Sequence, residues 1–177
     1  MELFSETTRL YAKNYSIIEA AKGEFQKDVD AFLDKVYEKM GSATSCRLSQ
    51  QIAKQSGNRC WWIGERDEEN CPYLWLSGSA PEIVDPGEIT LHVYAEKASP
   101  PQLRALKGVA SRQEFLSICE VEKGEPGPFK LFSATIRYAD QEPVQQVSSI
   151  AAKLLLALNE AYGRSSRAAV ASSRKRN

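Results

Sequence analysis

Residues 88–96 read EITLHVYAE, and apolar and polar side chains alternate along the whole stretch. Successive side chains of a β-strand point to opposite faces of the sheet, so this alternation predicts a strand with one buried face. The sheet that contains it should therefore have a core side and a second, more polar side. The core side would carry Ile89, Leu91, Val93 and Ala95, and the second side Thr90, His92, Tyr94 and Glu96.

Four further segments favour strands, because they contain aromatic and β-branched residues and are bounded by Gly or Pro. Residues 59–65 and 72–77 form one hairpin around the acidic loop ERDEEN. Residues 115–121 and 129–138 form a second hairpin, whose loop EKGEPGPF is rich in turn residues. The adjacent Trp61 and Trp62 must point to opposite faces, so one should enter the core and the other should join the second face.

Three segments show the three- and four-residue spacing of amphipathic helices. The first covers residues 18–40 and is expected to end at Gly41. A short helix begins at Pro100, and a long, strongly apolar helix begins near Pro143 and is expected to end at Gly163. The apolar stripes are Ile18, Ala21, Phe25, Val29, Phe32, Val36 and Met40, then Leu103, Leu106 and Val109, then Val144, Val147, Ile150, Ala151, Leu154, Leu155, Leu158 and Tyr162.

The element order is therefore α-βββ-α-ββ-α, which places the chain in the α+β class. Hairpin-sized connections predict a mainly antiparallel five-stranded sheet with the long N- and C-terminal helices packed on one face. With 177 residues, of which 42% are hydrophobic, the chain can bury a core without metals or disulfides. We expect a single α+β domain over residues 1–162, followed by a basic, flexible C-terminal tail over residues 163–177.

The second face of the sheet is the candidate functional surface. Two helices packed side by side cover roughly the 20–25 Å width of five strands, so the second face would meet only the short helix, a partner or water. Tyr, Trp and His combine an apolar body with a polar edge and are enriched at binding surfaces. The second face carries Tyr73, Trp75, Thr90, His92 and Tyr94, and the predicted partner-binding residues are Tyr73, Trp75, His92 and Tyr94. In the alternative, the short helix and residues 59–64 fold over these rings.

Positive charge is concentrated at the C-terminus of a chain with 23 basic and 23 acidic residues. No acid follows Glu160, whereas five basic residues do, so the preceding part of the chain is acidic. An acidic body disfavours strong nucleic-acid binding, which requires several phosphates to be neutralised at once. A weak, salt-dependent contact with nucleic acid could come only from Arg174, Lys175 and Arg176.

The sequence contains no phosphate-binding GxxxxGK[ST] or GxGxxG motif and no GxSxG nucleophile motif. His92 is the single histidine. A nucleophilic pair or a metal site would need Cys60, Cys71 or Cys119 to lie beside it, which the spacing does not predict.

Carboxylates offer the main enzymatic alternative, a metal-dependent hydrolase or nuclease. Glu120 and Glu122 share one face of their strand, and Asp85 could join them around a divalent metal ion. In the simpler interpretation, these carboxylates are exposed charges at the end of a hairpin. We expect no catalytic residues, no metal site and no cofactor.

The N-terminal residues MELFSETTRLYAKNYS lack the order of a signal peptide, and the four cysteines form no CxxC pair. We therefore expect a cytoplasmic protein with reduced thiols, in which Cys60 and Cys119 are core residues, and no contact with a membrane. The element order over residues 16–162 resembles that of the small dimeric chaperones of type III secretion. The leading prediction is an adaptor- or chaperone-like module that binds a protein partner or itself.

Overall fold

The computed structural model describes residues 5–44, 58–64, 72–77, 83, 87–95, 98–121, 130–139 and 141–174. These residues form three helices and five strands in the order α-βββ-α-ββ-α, so the predicted fold class is confirmed. The elements are α1 (Glu6–Thr44), β1 (Asn58–Trp62), β2 (Tyr73–Ser77), β3 (Glu88–Tyr94), α2 (Pro100–Ala110), β4 (Cys119–Val121), β5 (Lys130–Arg137) and α3 (Pro143–Arg174).

The five described strands form one antiparallel sheet with the order β1-β2-β3-β5-β4. β5 therefore lies between β3 and β4, and the three-residue β4 is an edge strand. The register keeps the apolar residues in line, because Leu74 is opposite Trp61 on one side and Val93 on the other. One face of the sheet is consequently apolar across all its central strands.

The hydrophobic core lies between this apolar face and the helices. Trp61 is completely buried and packs against Tyr37 of α1, with the ring centroids 5.2 Å apart. α3 packs against α1 and α2, and α2 also contacts β4 and β5. The long N- and C-terminal helices are thus packed on one face of the sheet, as predicted. Large core side chains include Leu33, Met40, Leu74, Leu76, Ile89, Leu91, Leu106, Phe132, Ile136 and Leu154.

α1 and α3 cross the sheet in the same direction. Along α1, Asp34 contacts Arg59 at the start of β1, and Tyr37 contacts Trp61 further along the strand. The last residues of β5 lie at the same end of the strands as the first residues of β1. α3 follows β5 and therefore begins at that end of the sheet. α3 then reaches Gly64, which lies beyond the opposite end of β1.

A nearly buried arginine connects β1 to α1. The Arg59 side chain is 9% exposed, and its Nε donates a hydrogen bond of 2.8 Å to Oδ1 of Asp34. A terminal nitrogen lies 2.6 Å from the same carboxylate oxygen and 3.4 Å from the backbone oxygen of Asp30. Because these groups satisfy the guanidinium, a charge can occupy the helix-facing side of β1.

Three helix boundaries differ from the sequence predictions. α1 begins at Glu6, well before Ile18, and continues through Gly41 to Thr44, and α3 continues through Gly163 to Arg174. The predicted end at Gly163 is wrong, because one glycine inside a helix costs only about 1 kcal/mol relative to alanine and no proline follows it. The part of the chain described by the structure contains no helix that is both long and apolar enough to cross a membrane.

The strand predicted over residues 115–121 is shorter than expected. The chain leaves α2 in tight turns, in which the amide of Cys119 donates a hydrogen bond of 2.9 Å to the carbonyl of Phe115. These turns keep Phe115 in the core, so extended backbone begins only at β4.

Candidate functional site

The strand register brings the predicted partner-binding residues together on the face of the sheet opposite the helices. Trp62, Tyr73 and Tyr94 are directly opposite one another on β1, β2 and β3. Trp75 and His92 are opposite each other in the next row of the same face. We call this set of five residues the aromatic face.

The five rings of the aromatic face contact one another. Tyr73 stacks on Tyr94 with ring centroids 5.1 Å apart and planes inclined by 19°, and it meets Trp62 edge-on at 6.1 Å. Tyr94 also meets Trp75 edge-on at 6.2 Å and His92 at 6.1 Å. These are favourable arrangements for aromatic pairs. Tyr73 also contacts Trp75, with ring centroids 6.2 Å apart, so Tyr73 and Tyr94 each contact three of the other four rings and together form the centre of the cluster.

All five side chains of the aromatic face are partly exposed, and none belongs to the buried core cluster. The contrast with Trp61 is sharp, since that residue precedes Trp62 in the chain and is completely buried. The prediction that the two tryptophans separate between the core and the second face is confirmed.

The alternative, in which the short helix folds over the rings, is wrong. α2 packs against α3 and against β4 and β5, on the apolar side of the sheet. Residues 59–62 belong to β1 and are therefore part of the sheet itself. Within the described ranges, all three helices lie on the other side of the sheet from the aromatic face.

Small hydroxyl side chains continue the aromatic face. Thr90 on β3 is opposite Ser77 on one side and Thr135 on the other, and Ser133 is opposite His92. Each hydroxyl can donate and accept a hydrogen bond. The combined surface offers apolar ring area together with adaptable polar groups.

The thiols near this site are poor nucleophiles. Burial raises the pKa of Cys60 to about 12, and it raises the pKa of Cys119 to about 11. Cys60 is separated from His92 by Trp75 in the same row, a distance of roughly two strand spacings or 10 Å. Cys119 is paired with Ala134 on the helix-facing side of the sheet. The structure therefore forms no histidine–cysteine pair from these residues.

The buried state predicted for the two cysteines holds fully for Cys60 and partly for Cys119, which is half-buried against the core. Cys71 lies outside the described residues.

The carboxylate alternative has little support in the described residues. Glu120 is an exposed residue opposite Ser133 on β5, while Glu122 and Asp85 lie outside the described residues. In the ranges that the structure covers, no group of three His, Cys, Asp or Glu side chains could hold a metal ion.

The basic residues at the C-terminus are described only in part. Arg174 is the last residue of α3, whereas Lys175 and Arg176 lie outside the described residues. The backbone of the predicted tail is thus helical from residue 163 to residue 174.

Comparisons with protein families, with curated proteins and with solved structures found no match to this chain. The aromatic face itself is therefore the basis on which a function can be inferred.

Five members of this surface were not among the predicted partner-binding residues: Trp62, Ser77, Thr90, Ser133 and Thr135. Trp62 could have been found from its adjacency to Trp61, once Trp61 is known to be buried. Ser133 and Thr135 alternate with apolar residues on β5, but their place beside β3 follows from the strand order, which the sequence pattern does not contain.

Proposed function

We propose that this protein is a non-enzymatic interaction module that binds a partner protein through the aromatic face. The observation that carries the proposal is the cluster of five contacting, partly exposed rings on the side of the sheet that the described helices leave uncovered. Tyr and Trp are enriched among the residues that dominate protein–protein binding energy.

The charges around the aromatic face favour a protein over a nucleic acid as the ligand. Lys130 is opposite Tyr94, and Arg137 makes a 2.5 Å ion pair with Glu88. Glu120 adds a negative charge beside Ser133. A surface with so little net positive charge among its described residues cannot neutralise the several phosphates that nucleic-acid binding requires.

Trp75 and Tyr94 are the proposed anchors. Tyr94 is one of the two tyrosines at the centre of the ring cluster and contacts both residues of the second row, and Trp75 presents the largest partly exposed side chain in that row. Rings that already support one another lose little conformational freedom on binding, which favours affinity. The neighbouring hydroxyls of Thr90 and Ser133 would then satisfy polar groups of the partner.

The test compares the full-length wild type with the double variant Trp75→Ser/Tyr94→Ser. Proteins that co-purify with the wild type from its own cells are identified, purified and measured for binding by calorimetry. We expect the double variant to weaken binding by about 1,000-fold, since each of the two anchors should contribute ~2 kcal/mol.

The matched control is Leu116→Ser/Leu156→Ser, which removes two exposed apolar side chains elsewhere on the molecule. This control should bind the partner as the wild type does. Equal binding by wild type and the Trp75/Tyr94 variant would overturn the proposal. A fall in molecular mass of the purified chain on the Trp75/Tyr94 substitution would show that the partner is a second copy.

A further inference from the structure

The first half of α1 has no part in the core. The buried residues of this helix begin at Val29, and residues 5–28 include none. Five large apolar side chains in this half, Leu10, Tyr11, Tyr15, Ile17 and Phe25, are between 44% and 68% exposed. Helices in proteins owe most of their stability to packing of an apolar face, so this half lacks the support that the second half receives.

The first half of α1 carries one regularly spaced row of residues along the helix, which we call the stripe. Tyr11, Asn14, Ile18, Ala21 and Phe25 follow one another at alternating steps of three and four residues. This is the heptad spacing that brings two helices together along a shared seam. The stripe leads directly into the core-facing residues of the second half, which begin at Val29.

We propose that two copies of the chain associate by pairing residues 9–30 of their α1 helices in an antiparallel arrangement. The pair is centred on Ile18 and Ala21, so that Ile18 of each copy packs against the smaller Ala21 of the other. Phe25 then packs beside Asn14 of the other copy. Each contact occurs twice, as the two-fold symmetry of a homodimer requires.

The distribution of charge favours a second copy in this orientation. Residues 7–18 contain two basic residues, Arg9 and Lys13, and no acid. Residues 19–30 contain four acids and two lysines. An antiparallel pair places the basic segment of each helix alongside the acidic segment of the other. A parallel pair would place the two basic segments together and the two acidic segments together. The charged residues of the second segment are Glu19, Lys22, Glu24, Lys27, Asp28 and Asp30.

The flanks of the stripe fit the same arrangement. Tyr15 of one helix lies beside Lys22 of the other, where an ammonium group can approach a ring face. Leu10 and Ile17 widen the apolar surface on the opposite flank. An overlap of about 22 residues is ~33 Å long at 1.5 Å per residue, about three heptads of contact.

Molecular mass in solution is the first test. Sedimentation equilibrium of the full-length wild type should give twice the chain mass of 19.7 kDa. Ile18→Glu should raise the dissociation constant of the dimer by about tenfold or more, because it buries two like charges near the two-fold axis. Leu116 is an exposed apolar residue outside α1 and supplies the control, since Leu116→Glu should leave the mass of the dimer unchanged.

The substitution lies outside the core, so thermal melting should show that Ile18→Glu still folds. Mixing Ile18→Glu with Ile18→Lys should restore a dimer of mixed composition, which a mere loss of folding would not allow. A wild type that stays monomeric at ~100 μM, far above the micromolar range of ordinary specific complexes, overturns the proposal, as does a dimer that Ile18→Glu leaves intact.

The direction of pairing is tested by cross-linking Asn14→Cys with Phe25→Cys. An antiparallel pair gives a disulfide-linked dimer only when the two variants are mixed, with oxidised wild type as the blank. If each variant links to itself instead, the helices are parallel and the antiparallel arrangement is wrong.

This inference is independent of the function proposed for the aromatic face. Trp75→Ser/Tyr94→Ser should leave the dimer intact, and Ile18→Glu should leave partner binding to a single aromatic face intact. Failure of either proposal can therefore be recognised separately.

Discussion

Among the glycines whose surroundings the structure describes, Gly64 is the one at which an added Cβ would come closest to a neighbouring side chain. Its φ is +95°, a conformation that L-residues rarely adopt. A Cβ atom at this position would lie 2.7 Å from Cδ1 of the Tyr162 ring on α3. Its amide also donates a hydrogen bond of 2.5 Å to Oδ1 of Asn159. The glycine thus allows the chain just beyond β1 to pack directly against α3.

Gly64→Ala should lower the free energy of unfolding by about 1–3 kcal/mol, because it adds backbone strain and a steric clash at one site. The measurement is urea denaturation followed by circular dichroism. Gly108→Ala is the matched control, since Gly108 is inside α2 with no atom near the added Cβ. That control should gain about 0.5–1 kcal/mol. Equal effects of the two substitutions would contradict this account of Gly64.

For individual residues, the sequence predicted most of the candidate site. Strict alternation on β2 and β3 was enough to place Tyr73, Trp75, His92 and Tyr94 on one face, because side chains of a strand alternate with a period of two. Which of Trp61 and Trp62 enters the core could not be predicted, since it depends on the contact of Trp61 with Tyr37 of α1.

Among the elements, α2 begins with a capping box formed by Ser99 and Gln102. Oε1 of Gln102 accepts a hydrogen bond of 2.8 Å from the backbone amide of Ser99 and one of 2.7 Å from its hydroxyl. Pro100 and Pro101 follow, where a helix needs no amide donors. These features hold the first turn of α2 in place beside α3.

Gln102→Ala should destabilise the protein by about 0.5–1 kcal/mol, because the Ser99 amide loses its acceptor. Gln102→Glu keeps the acceptor oxygen and adds a negative charge at a helix N-terminus, so we expect no loss. Thermal melting of the two variants beside the wild type measures the difference. A loss of the same size in Gln102→Glu would show that the acceptor oxygen is not what matters.

Element boundaries were predicted less well than the elements. Before Ile18 the stripe of α1 contains only Tyr11 and the polar Asn14, too little apolar signal to mark a helix, because the first half of α1 has no core to face. Gly163 looked like a helix end, yet local sequence alone cannot show that α3 has room to continue. In both cases the helix extends beyond the part that packs on the sheet.

The whole molecule separates buried from partly exposed aromatics across a single sheet. Trp61→Ala should cost about 3–5 kcal/mol, because it leaves a large cavity in the core. Trp75→Ala should cost only about 1–2 kcal/mol, since it removes ring contacts on a partly exposed face. Chemical denaturation monitored by tyrosine fluorescence and circular dichroism would measure both. Equal costs would mean that the aromatic face is part of the core, and the proposed docking function would lose its basis.

The fold class followed from the order of elements, whereas the strand order did not. The sequence indicates two hairpins and a separate strand, but it does not indicate that β5 rather than β4 pairs with β3. That choice places Ser133 and Thr135 on the face of Thr90 and His92. Long-range pairing of this kind depends on the packing of α2 and α3, which local patterns do not encode.

The pairing of β3 with β5 also divides the molecule into two halves that are each continuous in sequence. One half contains α1 and the strands β1 to β3, and the other contains α2, β4, β5 and α3. Every described strand pair except this one lies within a half. The contacts between the halves include this seam of hydrogen bonds, the packing of α1 against α3 and the contact of Gly64 with α3. A chain cleaved between β3 and α2 would therefore leave two complementary fragments with matching edges, the property on which split-protein reporters depend.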